Sequence, residues 1–383
     1  MDLLLIRIGE LTLKSDRIRR RLKKKLIYNA LEALGDLTMS YEEEPGRLYF
    51  YVKDLEEASK RLQRVFGIVG IAKARLYELR SPSNSSLQEV AKRISEEIDI
   101  EEPFAVRVRR VGDHEFTSVD AAKIIGAEIH ARGLSVDLKN PKTEIFVEIR
   151  RDRVYVYTEE LPGPGGLPLG TEGSAIALIS GGIDSPVAAR YTMRRGVLTH
   201  FLHGLPVDDD SYLERVKEIV EILRSWSIGE SPRFFVADLR EFVEEASRRY
   251  RPMITILVKR RLIRIAESLS ERLDAKAIVL GDSIGQVASQ TLRNMYAIDY
   301  NARLSIIRPL AGFDKREIME KAAYIGTYEI SKRHEERASR YARRHVRTKA
   351  SIDDVLEAER NLERIESPII LESRSSDELR GIS

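Results

Sequence analysis

The chain has 383 residues, 43% hydrophobic and 33% charged, with 64 Lys and Arg against 61 Asp and Glu and no cysteine at all. No apolar run approaches the ~18 residues of a bilayer-spanning helix, which argues against an integral membrane protein; the missing cysteines exclude disulfides, thiolate metal sites, iron–sulfur clusters and a cysteine nucleophile. A net charge of +3 is too small to fix a partner, so the distribution of charge says more than its sum.

The length predicts two or three domains, and we expect three. Arg7 and Glu10 stand where a signal peptide needs its apolar centre and cleavage site, so a cytoplasmic protein is expected. Residues 3–8 read as a strand. A helix follows, capped by Ser15 or Asp16, with Ile18, Leu22, Leu26, Ala30 and Ala33 along its inner stripe. Its other faces carry Arg17, Arg19, Arg20, Arg21, Lys23, Lys24 and Lys25, with no acid between Asp16 and Glu32. That run is either a solvated face or a face for a phosphate backbone. RLYFYV (47–52) predicts a strand and 54–66 a helix.

The polar break SPSNSS (81–86) opens a second unit: helix 87–98, strand 104–110, helix 118–132 between Ser118 and Gly133, then strands 144–149 and 154–158. Positive charge continues here through Arg107, Arg109, Arg110, Lys123, Arg132, Lys139 and Lys142. LPGPGGLPLGTEG (161–173) holds eight Pro or Gly in thirteen residues, a composition that predicts a linker without regular structure. Beyond it, strands 175–179, 198–204, 233–239, 275–281 and 304–310 alternate with helices 186–195, 211–225, 240–272 and 314–325. Such alternation predicts a doubly wound parallel sheet. After residue 346 the chain reads as one helix, 351–366, and a weak tail.

SGGIDSP (180–186) lies between strand and helix, at the carboxyl end where ligands of such sheets sit. Gly181 and Gly182 let a backbone approach an anion closely, and the amides of residues 182–185 offer donors at a positive dipole end. No lysine occupies the turn, so this is no Walker loop; it suits a departing pyrophosphate better than a transferred γ-phosphate. For SGG alone, a plain strand-to-helix turn is an equal alternative.

With SGGIDSP, GDSIGQVASQTLRNM (281–295), RPLAGFDKREI (308–318) and IGTYEIS (325–331) together, the chain resembles the tRNA 4-thiouridine synthetase (tRNA sulfurtransferase) family of PP-loop enzymes. RIGELTLKS (7–15) and the stretch ending in LPGPGGLPLGTEG extend the resemblance upstream. The implied fold is α/β: a PP-loop domain at 173–345 preceded by a ferredoxin-like domain at 1–75 and a THUMP RNA-binding domain at 76–165, with a helical tail at 346–383. The implied activity is ATP-dependent adenylation of a tRNA uridine, at position eight, and exchange of its 4-oxygen for sulfur. ATP and Mg²⁺ are the implied cofactors, tRNA the partner, and a homodimer the expected assembly.

The resemblance makes Asp184 the essential acid, able to hold Mg²⁺ against phosphate or to move a proton; no other metal ligand is expected. Leu178, Ile179, Ser180, Gly181, Gly182, Ser185, His203, Gly204, Lys259, Gly281 and Gln290 fall at implied ATP contacts. Lys259 stands where the family usually has Arg, and Gly204 where it usually has Phe. His203 is otherwise a core histidine at a strand end, and Lys315 and Arg316 either reach phosphate or are solvated at a helix start. RNA contacts are expected from Arg19, Arg20, Lys23, Lys24, Arg107, Arg109, Lys123, Lys139 and Lys142.

The family's sulfur route uses cysteines, in a rhodanese extension and after the IGTYEIS segment, and the equivalent positions here are Ala338 and Ser339. Sulfur must then come from outside, as sulfide or a partner's persulfide, or else the chain is a tRNA- and nucleotide-binding paralogue that does not thiolate. A small-metabolite ligase would leave the basic N-terminal third unexplained, and without a rhodanese cysteine a role in thiamine synthesis is not expected.

Overall fold

Residues 2–10, 15–287, 290–333 and 350–375 are described by the structure, a computed structural model. They divide into two compact units: residues before 15 with 33–165, and residues 15–32 with the chain from 166 onward. The second unit therefore includes most of the basic helix α1 (Asp16–Leu34).

In the first unit β1 (Asp2–Ile8), β2 (Thr38–Glu44), β3 (Arg47–Val52), β4 (Ile68–Glu78), β5 (Phe104–Val111), β6 (Thr143–Arg150) and β7 (Arg153–Tyr157) form one sheet ordered β2-β3-β1-β4-β7-β6-β5, and β8 (Glu160–Pro162) adds beside β4. All pairs are antiparallel except β5 with β6. The long β4 joins the halves, since residues 68–75 pair with β1 and 75–78 with β7. Helices α2 (Leu55–Leu62), α3 (Asn84–Glu97) and α4 (Ser118–His130) complete the unit.

Strands β2, β4 and β8 lie outside the predicted strands. In β4 the buried positions Gly70, Ala72 and Ala74 carry small residues, which depress the strand signal. At Gly70 a Cβ would run into the Glu160 side chain, and Ala72 and Ala74 leave room for Tyr49 of β3 and Tyr155 of β7, which stack at 4.5 Å across the intervening strands. The sheet must curl to bring them together, and Leu3, Leu5, Ala72 and Ala74 line the same core. Ion pairs fasten the curl: Arg47 to Glu148 at 2.8 Å, Arg150 to Glu44 at 3.2 Å, and Arg153 to Glu42. The stretch 161–173, expected to lack regular structure, supplies the end of β8, held by Leu161 opposite Ile71 and Pro162 opposite Gly70.

Burial alone would push the Glu148 carboxyl up, but hydrogen bonds and charge from Arg47 and Arg150 outweigh it and hold it below the ordinary glutamate range. A depressed folded value gives stability that is present above the unfolded pKa, about 4.3, and is lost as pH falls through the folded value. Glu148→Gln should therefore lower the melting temperature at pH 7 and flatten its fall between pH 5 and pH 3. Equal acid slopes in thermal melts of the two proteins would remove Glu148 from the account.

In the second unit β9 (Ser174–Leu178), β10 (Leu198–Leu205), β11 (Phe234–Asp238), β12 (Ala275–Val279), β13 (Ser305–Ile307) and β14 (Ile369–Ser373) are ordered β13-β12-β9-β10-β11-β14. All are parallel but β14, which runs antiparallel along β11. The helices are α5 (Asp184–Arg194), α6 (Asp210–Arg224), α7 (Arg240–Tyr250), α8 (Ile254–Leu273), α9 (Leu292–Asp299), α10 (Lys315–Ile325) and α11 (Ile352–Asn361). One face of the sheet, with Ile176, Leu202, Phe235 and Ile278, packs on Ile256, Leu257, Ile263 and Ala266 of α8. The chain leaves β9 toward β10 and returns on its other side as β12, so the topological switch lies at the carboxyl end of β9, where such sheets bind ligands.

Several expected elements shift. The stretch 240–272 is two helices, broken by a 3₁₀ turn at Arg251–Met253, where Pro252 has no amide hydrogen to continue the ladder. Thr117, not Ser118, caps α4 in a capping box with Asp120, and Ala131, not Gly133, is its C-cap. In α1 Leu22, Leu26 and Ala30 are buried, but Ile18 is 42% exposed. Helix α9 and strand β14 were not expected.

Candidate functional site

The loop after β9 closes on itself. The Ser180 amide donates to Ser185 Oγ at 2.9 Å, the two hydroxyls lie 3.1 Å apart, and the Gly182 amide donates to Ser180 Oγ at 3.3 Å. Both serines thus shape the turn. Helix α5 begins at Asp184, two residues earlier than predicted, with Ile183 as an N-cap that offers no side-chain bond. Its first-turn amides lack intrahelical partners, and with the helix dipole they form a site for an anion.

Neighbouring elements press on this turn. A Cβ on Gly281 would lie 2.7 Å from the Ser185 nitrogen and 2.8 Å from its Cα, so any side chain there must displace loop backbone. Gly281→Ala should weaken nucleotide binding by about tenfold or more, since a ~1 Å misplacement is costly at such sites; ATP titration by calorimetry checks it, and unchanged affinity would show that the loop yields. His203 is 2% exposed, bonds through Nδ1 to the Ile179 carbonyl at 2.8 Å, and packs against the Tyr212 ring of α6, tilted by 57° with centroids 5.2 Å apart. The Tyr212 hydroxyl meets the Gly181 backbone, and burial pushes its pKa up to about 12. Leu178 and Ile179 are buried at the end of β9, Ile179 donating its amide to the Leu202 carbonyl. At Gly204 a Cβ would meet Leu239 at 2.4 Å and Leu262 at 2.9 Å, so these leucines occupy the direction a larger residue would take.

Charge is paired around the loop. Asp184 Oδ1 accepts from Lys315 Nζ at 3.1 Å, Lys315 standing at the start of α10. Lys259 of α8 pairs with Asp282, which also accepts from Arg308 Nε at 3.1 Å and from Gln290 Nε2 at 3.4 Å. Burial would raise the Asp282 carboxyl, but Lys259 and Arg308 together hold it below the ordinary aspartate range. Of these groups Asp282 and Arg308 were not singled out from sequence, although both lie inside the quoted GDS and RPL segments; their spacing from Lys259, 23 and 49 residues, hides the pairing. Ala338 and Ser339 lie outside the described residues.

The residues expected to meet RNA differ in how far their charge is committed. On α1, Arg19 pairs with Asp16 at 2.5 Å, while Arg20 and Lys24 are exposed and Lys23 is half-buried. In the first unit a cavity of about 890 Å³ opens beside α4 and β5, lined by Val119, Leu138 and Phe146 with Arg107, Arg109 and Lys123. Arg107 donates to Glu144 at 3.0 Å and to the Leu138 carbonyl at 2.7 Å, which reduces its share in any contact. Arg109, Lys123, Lys139 and Lys142 are exposed. Among the described residues no helix is long and apolar enough to cross a membrane, and no group of three His, Asp or Glu could hold a metal ion.

The chain matches known proteins along most of its length. A family model described as thiamine biosynthesis protein (ThiI) matches residues 170–364, a THUMP domain model residues 83–159, and a ThiI ferredoxin-like domain model residues 3–72. The tRNA sulfurtransferase of Pyrobaculum aerophilum is 40% identical over 346 residues, 90% of this chain and 71% of that protein. The probable tRNA sulfurtransferase of Methanothermobacter thermautotrophicus is 39% identical over 338 residues, 86% of each chain. A solved 4-thiouridine synthetase in complex with RNA and bound ATP superposes with a TM-score of 0.76 at 29% identity, over 97% of this chain and 100% of that one. With its PP-loop sheet, THUMP and ferredoxin-like segments all matched, the chain belongs to the ThiI family of tRNA sulfurtransferases.

Proposed function

We propose that this chain adenylates the 4-oxygen of a tRNA uridine, at position eight, and replaces it with sulfur supplied in trans to give 4-thiouridine. The carrying observation is the closed SGGIDSP turn at the switch point of the sheet, with Asp184 and Lys315 paired at its mouth. A carbonyl oxygen leaves poorly. Attack of that oxygen on the α-phosphorus expels pyrophosphate, and the adenylated oxygen then leaves as AMP when a sulfur nucleophile adds at the ring carbon. The first-turn amides of α5 would hold the departing diphosphate, and the Asp184 carboxylate, whose side chain is 23% exposed, is accessible enough to hold Mg²⁺ beside the phosphates. Such an ion would neutralise charge on the leaving diphosphate.

Leu178, Ile179, Ser180, Gly181, Gly182, Ser185, His203, Gly204, Lys259, Gly281 and Gln290 make up the proposed nucleotide site in the 173–345 domain. Residues 1–75 and 76–165 would present tRNA, in a homodimer and in the cytoplasm. With no cysteine in the sequence, no side chain here can carry a persulfide, so the nucleophile must be free sulfide, or the persulfide of a partner protein whose new disulfide to the ring carbon is then cleaved by a second, external thiol to leave 4-thiouridine. The same absence favours, as a second reading, a paralogue that binds tRNA and nucleotide without thiolating.

Incubating the pure protein with ATP, Mg²⁺, unmodified tRNA and sulfide, then weighing the nucleosides, separates the two. One uridine should gain the mass of sulfur for oxygen. Intact uridine with tight tRNA binding would favour the second reading.

A further inference from the structure

One buried carboxylate lies between two residues of the proposed nucleotide site. Asp282 is 3% exposed, directly after the Gly281 that abuts the loop. Its Oδ1 takes the Lys259 ammonium and the Gln290 amide, and its Oδ2 takes Arg308, which is itself committed to Asp299 through two bonds of 2.6 and 2.7 Å. Two cations and two carboxylates alternate from α8 to α9, and their charges cancel. A lysine has no planar fork to orient it, so its direction depends on what it is bound to.

A carboxylate only accepts, so Gln290 must turn its NH₂ toward Asp282. That leaves Gln290 Oε1 as a buried acceptor with no partner among the described residues, on a residue only 7% exposed in total. A buried acceptor left unmatched is costly until a donor arrives, and Lys259, bound on one side, keeps other N–H donors to offer.

We propose that Asp282 is a positioning residue for the nucleotide: by holding Lys259 and Gln290 together it aims the ammonium at phosphate oxygens and the glutamine carbonyl at an N–H or O–H of the nucleoside. The proposal rests on the ATP reading of this site. It assigns Asp282 no contact with the nucleotide, only control over two groups that make one.

The test is ATP titration of the full chain with Mg²⁺ by calorimetry, with the affinity for unmodified tRNA and the melting temperature measured alongside. Asp282→Asn should weaken ATP about tenfold and leave RNA affinity unchanged. Lys259→Arg added to the Asp282→Asn variant should recover ATP affinity without recovering melting temperature, because the guanidinium brings its own orientation. Asp282→Asn within twofold of the natural protein overturns the proposal, and so does an Arg rescue that restores melting temperature while ATP stays weak. If the Asp282→Asn variant does not fold, Asp282→Glu, which keeps all four charges but displaces the carboxylate, takes its place: tenfold weaker ATP supports the proposal and unchanged affinity overturns it. Failure of the natural protein to bind ATP would instead sink the function proposed above.

Discussion

Asp184→Asn is expected to slow tRNA-dependent release of pyrophosphate from ATP by about 10³-fold, with RNA affinity unchanged and the fold intact. The amide keeps the volume and one acceptor oxygen for Lys315, so what is lost is one negative charge and one acceptor at the head of α5. That charge sits where a helix dipole favours it and where Lys315 already answers it at 3.1 Å. If the carboxylate were merely structural, removal of a partly exposed pair would change little, because such pairs are worth at most about 1 kcal/mol. A group that moves a proton or steadies charge in the transition state is worth about 10² to 10⁴ in rate. Lys315→Met provides the complementary reading. The two residues act as one unit if the double variant is no slower than the worse single, since the effects of coupled catalytic groups do not add. Single-turnover assays of labelled pyrophosphate give both numbers, and an Asp184→Asn protein that releases pyrophosphate at the natural rate would remove the carboxylate from the chemistry.

What sequence alone revealed depended on how local each signal was. The turn at 180–186 was legible because its requirements are contiguous: two glycines, an acid and a proline within one strand-to-helix corner. The alternation that predicts a parallel sheet was equally local, and the curated relatives and the solved structure agree with that fold class. Strand β4 was illegible for the reason that makes it work, its small residues leaving room for tyrosines from distant strands. β14 was hidden because its pattern is short and its partner β11 lies more than a hundred residues earlier. The same holds at the site, where Asp282, Arg308 and Lys259 meet only after α8, β12 and β13 pack. Lys315 was weighed as a phosphate ligand, but its pairing with Asp184 is a 131-residue contact that no periodicity encodes.

Replacing Arg109, Lys123 and Lys139 together by Ala should weaken tRNA binding by roughly 10²-fold at about 0.1 M salt and reduce the slope of log affinity against log salt by about two to three, since each lost phosphate contact removes about 0.9 from that slope. These three side chains are exposed, and two of them rim the cavity beside α4, so removing them should cost little stability. Arg107 supplies an internal control, because its charge is already paired with Glu144 and one of its Nη groups is taken by the Leu138 carbonyl, and Arg107→Ala should move the slope by less than one. On α1, Arg20→Ala with Lys24→Ala should lower it by about two, while Arg19, neutralised by Asp16, should matter less. ATP affinity, measured in the same preparations, should not change, because the phosphates of RNA and of nucleotide would be read by different residues. A triple variant that kept the natural salt slope would show that these charges only solvate the surface, and the RNA path over the first unit would have to be abandoned.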